Sequence, residues 1–303
     1  MQHSLREIHN GQNRGRYYGE IMMVLASVCF SLGGLLCKMI PWSALAINGC
    51  RDLIGSMVIG IYLTATRHRP KMNATIFAGA LCMLGVTTLF VMANKRTTAA
   101  NTIVLQYTAP IWVLIFMSLY FHRKPKKDDV ITMCVVFAGI LYFFLDGLSS
   151  GGMDGNLMAV AAGVCYAGLF VLNSLKKSDA ISSLFFGQLL AGVIFTPFTA
   201  MEQDFSANVL MWVLILGVVQ VGLAYVFFYQ GTKHTDPVNA SLIAGIEPVL
   251  NPILVAVFWH ETISALSLVG AVVVVVAVTL HAVRGRKRFG EKKDGGSQTK
   301  EAV

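Results

Sequence analysis

Apolar runs of about the length of a membrane span recur along the whole chain, each ended by a short polar or basic stretch. A helix needs about 20 apolar residues to cross the hydrocarbon, with about 17 to 25 tolerated. Ten runs meet or approach that length: Ile21–Ile40, Trp42–Thr66, Ala74–Asn94, Thr98–Phe121, Val130–Leu145, Leu157–Leu175, Ile181–Ala200, Val209–Gln230, Val238–Trp259 and Leu266–Val283. The fifth is short and can extend into Gly147 and Leu148. The loops between them leave no room for a soluble domain. Arg6, Arg14 and Arg16 before the first run suggest a signal peptide, but Lys38 and Pro41 follow it where a small-residue cleavage site belongs. The pattern therefore predicts an all-α membrane protein with ten transmembrane helices, the first one uncleaved.

Composition agrees. Hydrophobic residues make up 55% of the 303 residues and charged ones 13%, whereas a soluble domain is about one quarter charged. The bilayer is the solvent. The net charge of +8 does not imply a nucleic-acid partner, because the basic residues lie beside apolar runs and in the tails, as membrane topogenesis requires. Twenty of the 24 Lys and Arg fall on one side of the predicted membrane, in the N-tail, the even-numbered loops and the C-tail. Only Lys38, Lys95 and Arg96 fall on the other, and Arg51 is inside a helix. That bias places both termini in the cytoplasm and the chain in the cell membrane. The six cysteines (Cys29, Cys37, Cys50, Cys82, Cys134, Cys165) sit inside apolar runs at no metal-ligand spacing and read as small buried hydrophobes.

The sequence repeats itself. A shift of 138 positions aligns Gly79 with Gly217, Phe90 with Phe228, Thr97 with Thr235, Asn101 with Asn239, Pro110 with Pro248, Ile115 with Ile253 and His122 with His260. Nearer the start, Val28-Cys29-Phe30 resembles Val164-Cys165-Tyr166 at a shift of 136. Five helices per half is an odd number, so the halves enter the membrane in opposite orientation. The expected organisation is a cytoplasmic N-tail over 1–17, repeats over 18–149 and 150–284, and a basic cytoplasmic C-tail over 285–303, with Ser149-Ser150-Gly151-Gly152 as linker.

The segments Gly222-Leu-Ala-Tyr-Val-Phe-Phe-Tyr-Gln-Gly, Thr235-Asp-Pro-Val-Asn-Ala-Ser-Leu and Ile246-Glu-Pro-Val-Leu resemble the second repeat of the EamA-type drug/metabolite transporter family. Thr98-Ala-Ala-Asn-Thr-Ile-Val-Leu-Gln-Tyr-Thr-Ala-Pro and Arg51 fit the first, so the resemblance runs from about Tyr18 to Val283. It implies two inverted five-helix repeats, cytoplasmic termini and a central cavity lined mainly by helices 1, 3, 4, 6, 8 and 9. One departure is His122-Arg123, where family hairpins often carry an acid after helix 4; helix 9 keeps its version in Glu261.

Candidate chemistry sits mid-membrane. Pro110 and Pro248 lie at the centres of their runs, where each removes a helix hydrogen bond and frees a carbonyl that must find a partner or line a cavity. Matching interrupted helices mark the site of a carrier, although proline also serves as a packing kink in membrane helices. Glu247 precedes Pro248, and a mid-bilayer carboxylate is kept only with a partner or a use. Helical spacing puts it on a face with Ala240, Ala244 and Asn251. It serves either as a substrate contact or proton carrier, or as an interhelical tie. Ser31 and Ser27 on helix 1, Gln106 and Tyr107 on helix 4, Asn173 on helix 6, and Gln220 and Tyr225 on helix 8 can complete a pocket, or glue helices together. Gln220 and Tyr225 point about 140° apart on an α-helix and should not share one target. Trp112, Tyr166, Phe170 and Phe228 suit an amphipathic organic solute. Arg51 is expected to be structural, pairing with neighbours of Asp52 or snorkelling to the outer interface.

Other motifs dissolve on inspection. Gly147-Leu-Ser149-Ser-Gly151 lacks the strand–turn–helix setting of a nucleophile elbow. His260-Glu261 begins no zinc-protease motif, and no phosphate-binding Walker sequence is present. Asn73-Ala-Thr75 falls on the cytoplasmic side, away from glycosylation. Neither a cofactor nor a metal is implied. The expected function is a secondary or facilitative carrier, not an enzyme, moving a small amino-acid-like or amphipathic metabolite across the cell membrane by alternating access, with export as the expected direction; import, exchange and a non-transport scaffold are the alternatives. The expected partners are the metabolite, lipid and, if Glu247 titrates, protons; a homodimer is compatible with the sequence.

Overall fold

In the computed structural model, the described residues are 2–121, 152–234 apart from 174 and 176, 247–259, and isolated positions elsewhere. The helices are α1 (Gln2–Met39), α2 (Ala44–Ala65), α3 (Ala74–Arg96), α4 (Ala99–Gln106), α5 (Ala109–Phe121), α6 (Met153–Asn173), α7 (Ala180–Phe195) followed by a 3₁₀ turn (Thr196–Met201), α8 (Ala207–Ile215), a π segment (Leu216–Leu223), α9 (Ala224–His234) and α10 (Glu247–Trp259). Among the described residues, seven continuous stretches are long and apolar enough to cross a bilayer. They correspond to predicted spans 1 to 4 and 6 to 8; α10 belongs to span 9. Predicted spans 5 and 10, the linker up to Gly151, Glu261 and the C-tail lie outside the described residues. Helix α1 begins at Gln2, and the membrane-spanning part of it starts at Tyr17.

The repeat seen in the sequence is also in the element boundaries. The spans starting at Tyr17 and Ala44 match those starting at Met153 and Ala180 at a shift of 136. Helix α3 ends at Arg96 and α9 at His234, and α5 (Ala109–Phe121) matches α10 (Glu247–Trp259) end to end, at a shift of 138. The two extra residues fall between Ala180 and Gly217, an interval that holds the 3₁₀ turn and α8. The halves run in opposite directions. Lys38, at the end of α1, donates to Thr97 O, and Gly152, before the start of α6, lies against Thr97 Oγ1. The end of α1 and the start of its mate α6 therefore lie together.

That end of the bundle is closed by polar ties. Lys95 Nζ donates to Ile40 O, Trp42 Nε1 to Asp204 O at 2.7 Å, and Thr97 Oγ1 to Asn156 Oδ1 at 2.8 Å. Arg96 pairs with Asp154 across the two halves at 3.1 Å. The three basic residues that break the charge bias, Lys38, Lys95 and Arg96, are thus all engaged here, two of them on carbonyls at helix C-termini, where the dipole favours a cation. At the other end His68 Nε2 and Asp179 Oδ2 are 2.8 Å apart, and Asn73 Nδ2 donates to Lys177 O at 2.8 Å. Asn73 also caps α3 by accepting from Ile76 N, which accounts structurally for the Asn73-Ala-Thr75 triplet.

Lipid cannot drive one apolar helix against another, so close approach through small residues holds the bundle together. Helix α2 packs on α7 and the 3₁₀ turn this way. A Cβ on Gly49 would sit 2.2 Å from Thr196 N and 2.3 Å from Phe195 C, both backbone atoms. On Gly192 it would sit 2.7 Å from Leu53 Cα. Large apolar side chains such as Ile61, Leu119, Val193 and Phe258 stay exposed on the outside, where lipid covers them. We expect Gly49→Ala to cost about 1–3 kcal/mol through overpacking, read as an earlier thermal-unfolding midpoint of the purified protein in detergent; an unchanged midpoint would mean that the α2–α7 seam yields freely.

Candidate functional site

The two mid-helix prolines break their spans, and each break has a different resolution. In the first half α4 ends at Gln106 and Tyr107-Thr108 form a turn before α5 begins at Ala109. Pro110 cannot donate to the carbonyl four residues back, Gln106 O. That oxygen faces Gly163 of α6, where a Cβ would come within 2.9 Å of it; glycine leaves the room. In the second half the corresponding carbonyl is Ala244 O, and it accepts from the Tyr107 hydroxyl at 2.7 Å. The same hydroxyl lies 3.0 Å from Glu247 Oε2. Tyr107, from the broken span of one repeat, therefore closes the break in the other.

These groups border a central cavity. Its wall takes Phe30 from α1, Arg51 from α2, Val86, Thr87 and Phe90 from α3, Gln106 and Tyr107 from α4 and the turn after it, Tyr166 from α6, Gln220 and Val221 from the π segment, Tyr225 from α9 and Glu247 from α10. Of the candidate residues, Glu247, Gln106, Tyr107, Gln220 and Tyr225 are brought together here. The others stand apart. Ser31 is buried and donates to Ser27 O at 2.7 Å. Asn251 is buried where α1 meets α4, its Oδ1 beside Gly34 and Ala99. Asn173 borders a neighbouring cavity. Pro248 is buried at the start of α10; the Pro110 side chain is outside the described residues.

Two expectations are corrected. Gln220 and Tyr225 do share one target. Residues 216–223 wind as a π segment, and the N–H of Ala224 reaches back to Val219 O. An i→i+5 winding brings residues five apart onto nearly one face, whereas the α-helical spacing assumed from sequence separates them. Arg51 does not snorkel. It is 2% exposed, its Nε is 3.4 Å from Asp52 Oδ1, and its Nη2 donates to Thr87 O at 3.0 Å and Asn48 Oδ1 at 3.3 Å. Nη1 donates to Gln220 Oε1 at 3.4 Å, and the guanidinium carbon is 5.8 Å from the Phe90 ring centre. Arg51 thus reaches the cavity held by α2, α3 and the π segment, a placement that depends on three helices meeting and leaves no local sequence signal. Phe30, Thr87 and Phe90 were missed for the same reason, although the pairing of Phe90 with Phe228 in the repeat marked that position.

Chemically, the cavity offers a guanidinium and a carboxyl group among aromatic walls. Among the described residues no cluster of His, Cys, Asp and Glu could hold a metal ion. A polytopic helical bundle with paired helix breaks around a central polar cavity is the architecture of a membrane carrier.

Likeness to known proteins identifies which. The model of the EamA-like transporter family matches twice, over residues 17–145 and 153–283, so the chain belongs to that family and is a membrane transporter. An "Uncharacterized transporter" of Archaeoglobus fulgidus is 22% identical over 266 residues, covering 87% of this chain and 96% of its own length. The "Uncharacterized transporter YwfM" of Bacillus subtilis is 24% identical, covering 91% and 97%. The "Pseudopaline exporter CntI" of Pseudomonas aeruginosa is 24% identical, covering 86% and 94%. A solved crystal structure shares the fold with a TM-score of 0.62 at 16% identity, covering 88% of this chain and 97% of that one.

Removing the Tyr107 hydroxyl leaves the Ala244 carbonyl without this donor. We expect Tyr107→Phe to lower stability by about 1–3 kcal/mol, measured as thermal unfolding in detergent; an unshifted melt would show that the carbonyl finds another partner.

Proposed function

We propose that the protein is a secondary carrier that binds a small zwitterionic, amphipathic metabolite between its two repeats and exports it by alternating access. One observation supports this above the rest: Arg51 and Glu247 border the same cavity, whose remaining wall is largely aromatic. A carboxylate on the solute suits the guanidinium, an ammonium suits Glu247, and an apolar body suits Phe30, Phe90, Tyr166 and Tyr225. Both charged groups already have protein partners, so a solute exchanges hydrogen bonds with Gln220 and Tyr107 rather than meeting bare charges. That exchange favours reversible binding, which a carrier needs.

Export and cytoplasmic termini are the finer parts of the proposal. The charge bias supports the orientation, and the name of the Pseudomonas relative supports the direction. Proton coupling through Glu247 is part of the same reading: a carboxyl group that hydrogen-bonds to Tyr107 when the site is empty is free to bind an ammonium once that bond is released.

The test compares extracellular metabolites from cells expressing the wild type, Glu247→Gln or nothing, at equal membrane abundance. We expect an amino-acid-like compound enriched outside with the wild type and reduced about tenfold or more in Glu247→Gln, the loss of one charge-assisted contact. Enrichment inside the cells instead reverses the direction to import, and equal enrichment with both proteins removes the charge of Glu247 from the mechanism.

A further inference from the structure

Beside the central cavity lies a second one. We propose that it is a second solute-binding site on the transport path, taking the apolar part of the solute and offering one hydrogen-bond acceptor, Asn173 Oδ1. This rests on the carrier reading above.

The two cavities share a partition. Tyr166 and Tyr225 line both. From that partition an arc of rings runs around the second cavity. Tyr166 packs on Phe170 with centroids 4.8 Å apart, and Phe170 on Phe228 at 6.4 Å. Phe228 meets Phe30 at 6.3 Å, and Phe30 meets Tyr225 at 4.9 Å. A solute leaving the central cavity on this side passes between the two tyrosines.

The repeat gives the second cavity its meaning. Phe30, Thr87 and Phe90 of the central wall have Tyr166, Tyr225 and Phe228 as mates at shifts of 136, 138 and 138. Those mates all border the second cavity. It is the image, in the second repeat, of the region that Arg51 serves in the first. Because the halves are inverted, the image is displaced toward the opposite end of the bundle, the end carrying His68 and Asp179. A path through an inverted repeat needs both regions, one for each side.

The chemistry of the two differs. The repeat mate of Arg51 is Gly187 and that of Asn48 is Leu184, so the image has lost its cation and gained an apolar wall. Beside its hydroxyls the image has Asn173, whose Oδ1 is buried without a hydrogen-bond partner among the described residues. A buried acceptor left unmade costs about 1–3 kcal/mol, and a solute N–H resting here satisfies it. Without a counter-charge the second site binds more weakly than the first, which suits a place the solute leaves.

The experiment uses the full chain and radiolabelled phenylalanine, an aromatic zwitterion. Asn173→Trp fills the cavity, Asn173→Leu removes only the acceptor, and Asn173→Cys reports access to a charged methanethiosulfonate reagent, with the wild-type cysteines as blank. We expect Asn173→Trp to keep binding in detergent within about threefold of the wild type while slowing counterflow in proteoliposomes about tenfold or more. Asn173→Leu should fall between the two, and Asn173→Cys should react from one face of the membrane, more slowly with phenylalanine present. Wild-type counterflow by Asn173→Trp overturns the second site and leaves the carrier reading standing. An unreactive Asn173→Cys makes the cavity a closed void, overturning the site whatever the solute. If Asn173→Cys reacts but the wild type neither binds nor exchanges phenylalanine, the solute class proposed for both cavities is wrong.

Discussion

Inside hydrocarbon a backbone carbonyl has no water to turn to, and this chain releases two of them on purpose-matched positions in its repeats. Gln106 O and Ala244 O are left behind by Pro110 and Pro248, and the site is built from the two answers. Gly163 lets α6 approach the first oxygen, which brings Tyr166 of the same helix to the cavity. Tyr107 donates to the second and, with the same hydroxyl, meets Glu247. The hydroxyl has one proton, and Ala244 O can only accept. With that proton on Ala244 O, the contact to Glu247 requires a proton on the carboxyl group; with the carboxyl ionised, the two acceptors compete for one donor. The ionisation of Glu247 and the closure of the helix break are therefore linked through a single side chain.

The duplication supplies the frame, and the departures from it supply the chemistry. Glu247 has Ala109 as its mate, Arg51 has Gly187, and Tyr107 has Gly245. Every charged group at the cavity is thus present once, on one side of an approximate two-fold. A symmetric cavity would present like charges to one another or none at all; this one presents a cation from the first repeat and an acid from the second. Asp52, buried beside Arg51 at 3.4 Å, keeps the guanidinium from being a lone buried charge, which would be far costlier than the pair.

How much of this could be read in the sequence follows from how local each signal is. Span length, charge bias and proline position are local, and α2, α3, α6 and the break before Pro110 appear within a few residues of where the pattern places them. Five of the candidate polar residues meet at the cavity because the repeat and the prolines fix where mid-membrane lies. Arg51 was not legible as a cavity residue, since its position depends on Thr87 of α3 and Gln220 of the π segment meeting α2. The π segment was hidden for another reason: Leu216–Leu223 carries nothing that α-helical periodicity would flag, and a change of winding moves every later side chain without changing a single residue.

Among the described spans, span 8 is the longest, at 28 residues against 23 for its mate α3, and its extra residues lie at its start, since Ala74 pairs with Trp212. Within that span the π segment acts by its winding and not by added length. The effect is to turn Tyr225 toward Gln220, and so toward Arg51, from a face where α-helical geometry would not have put it. One of the two tyrosines between the cavities thus stands where it does because of a local change of winding.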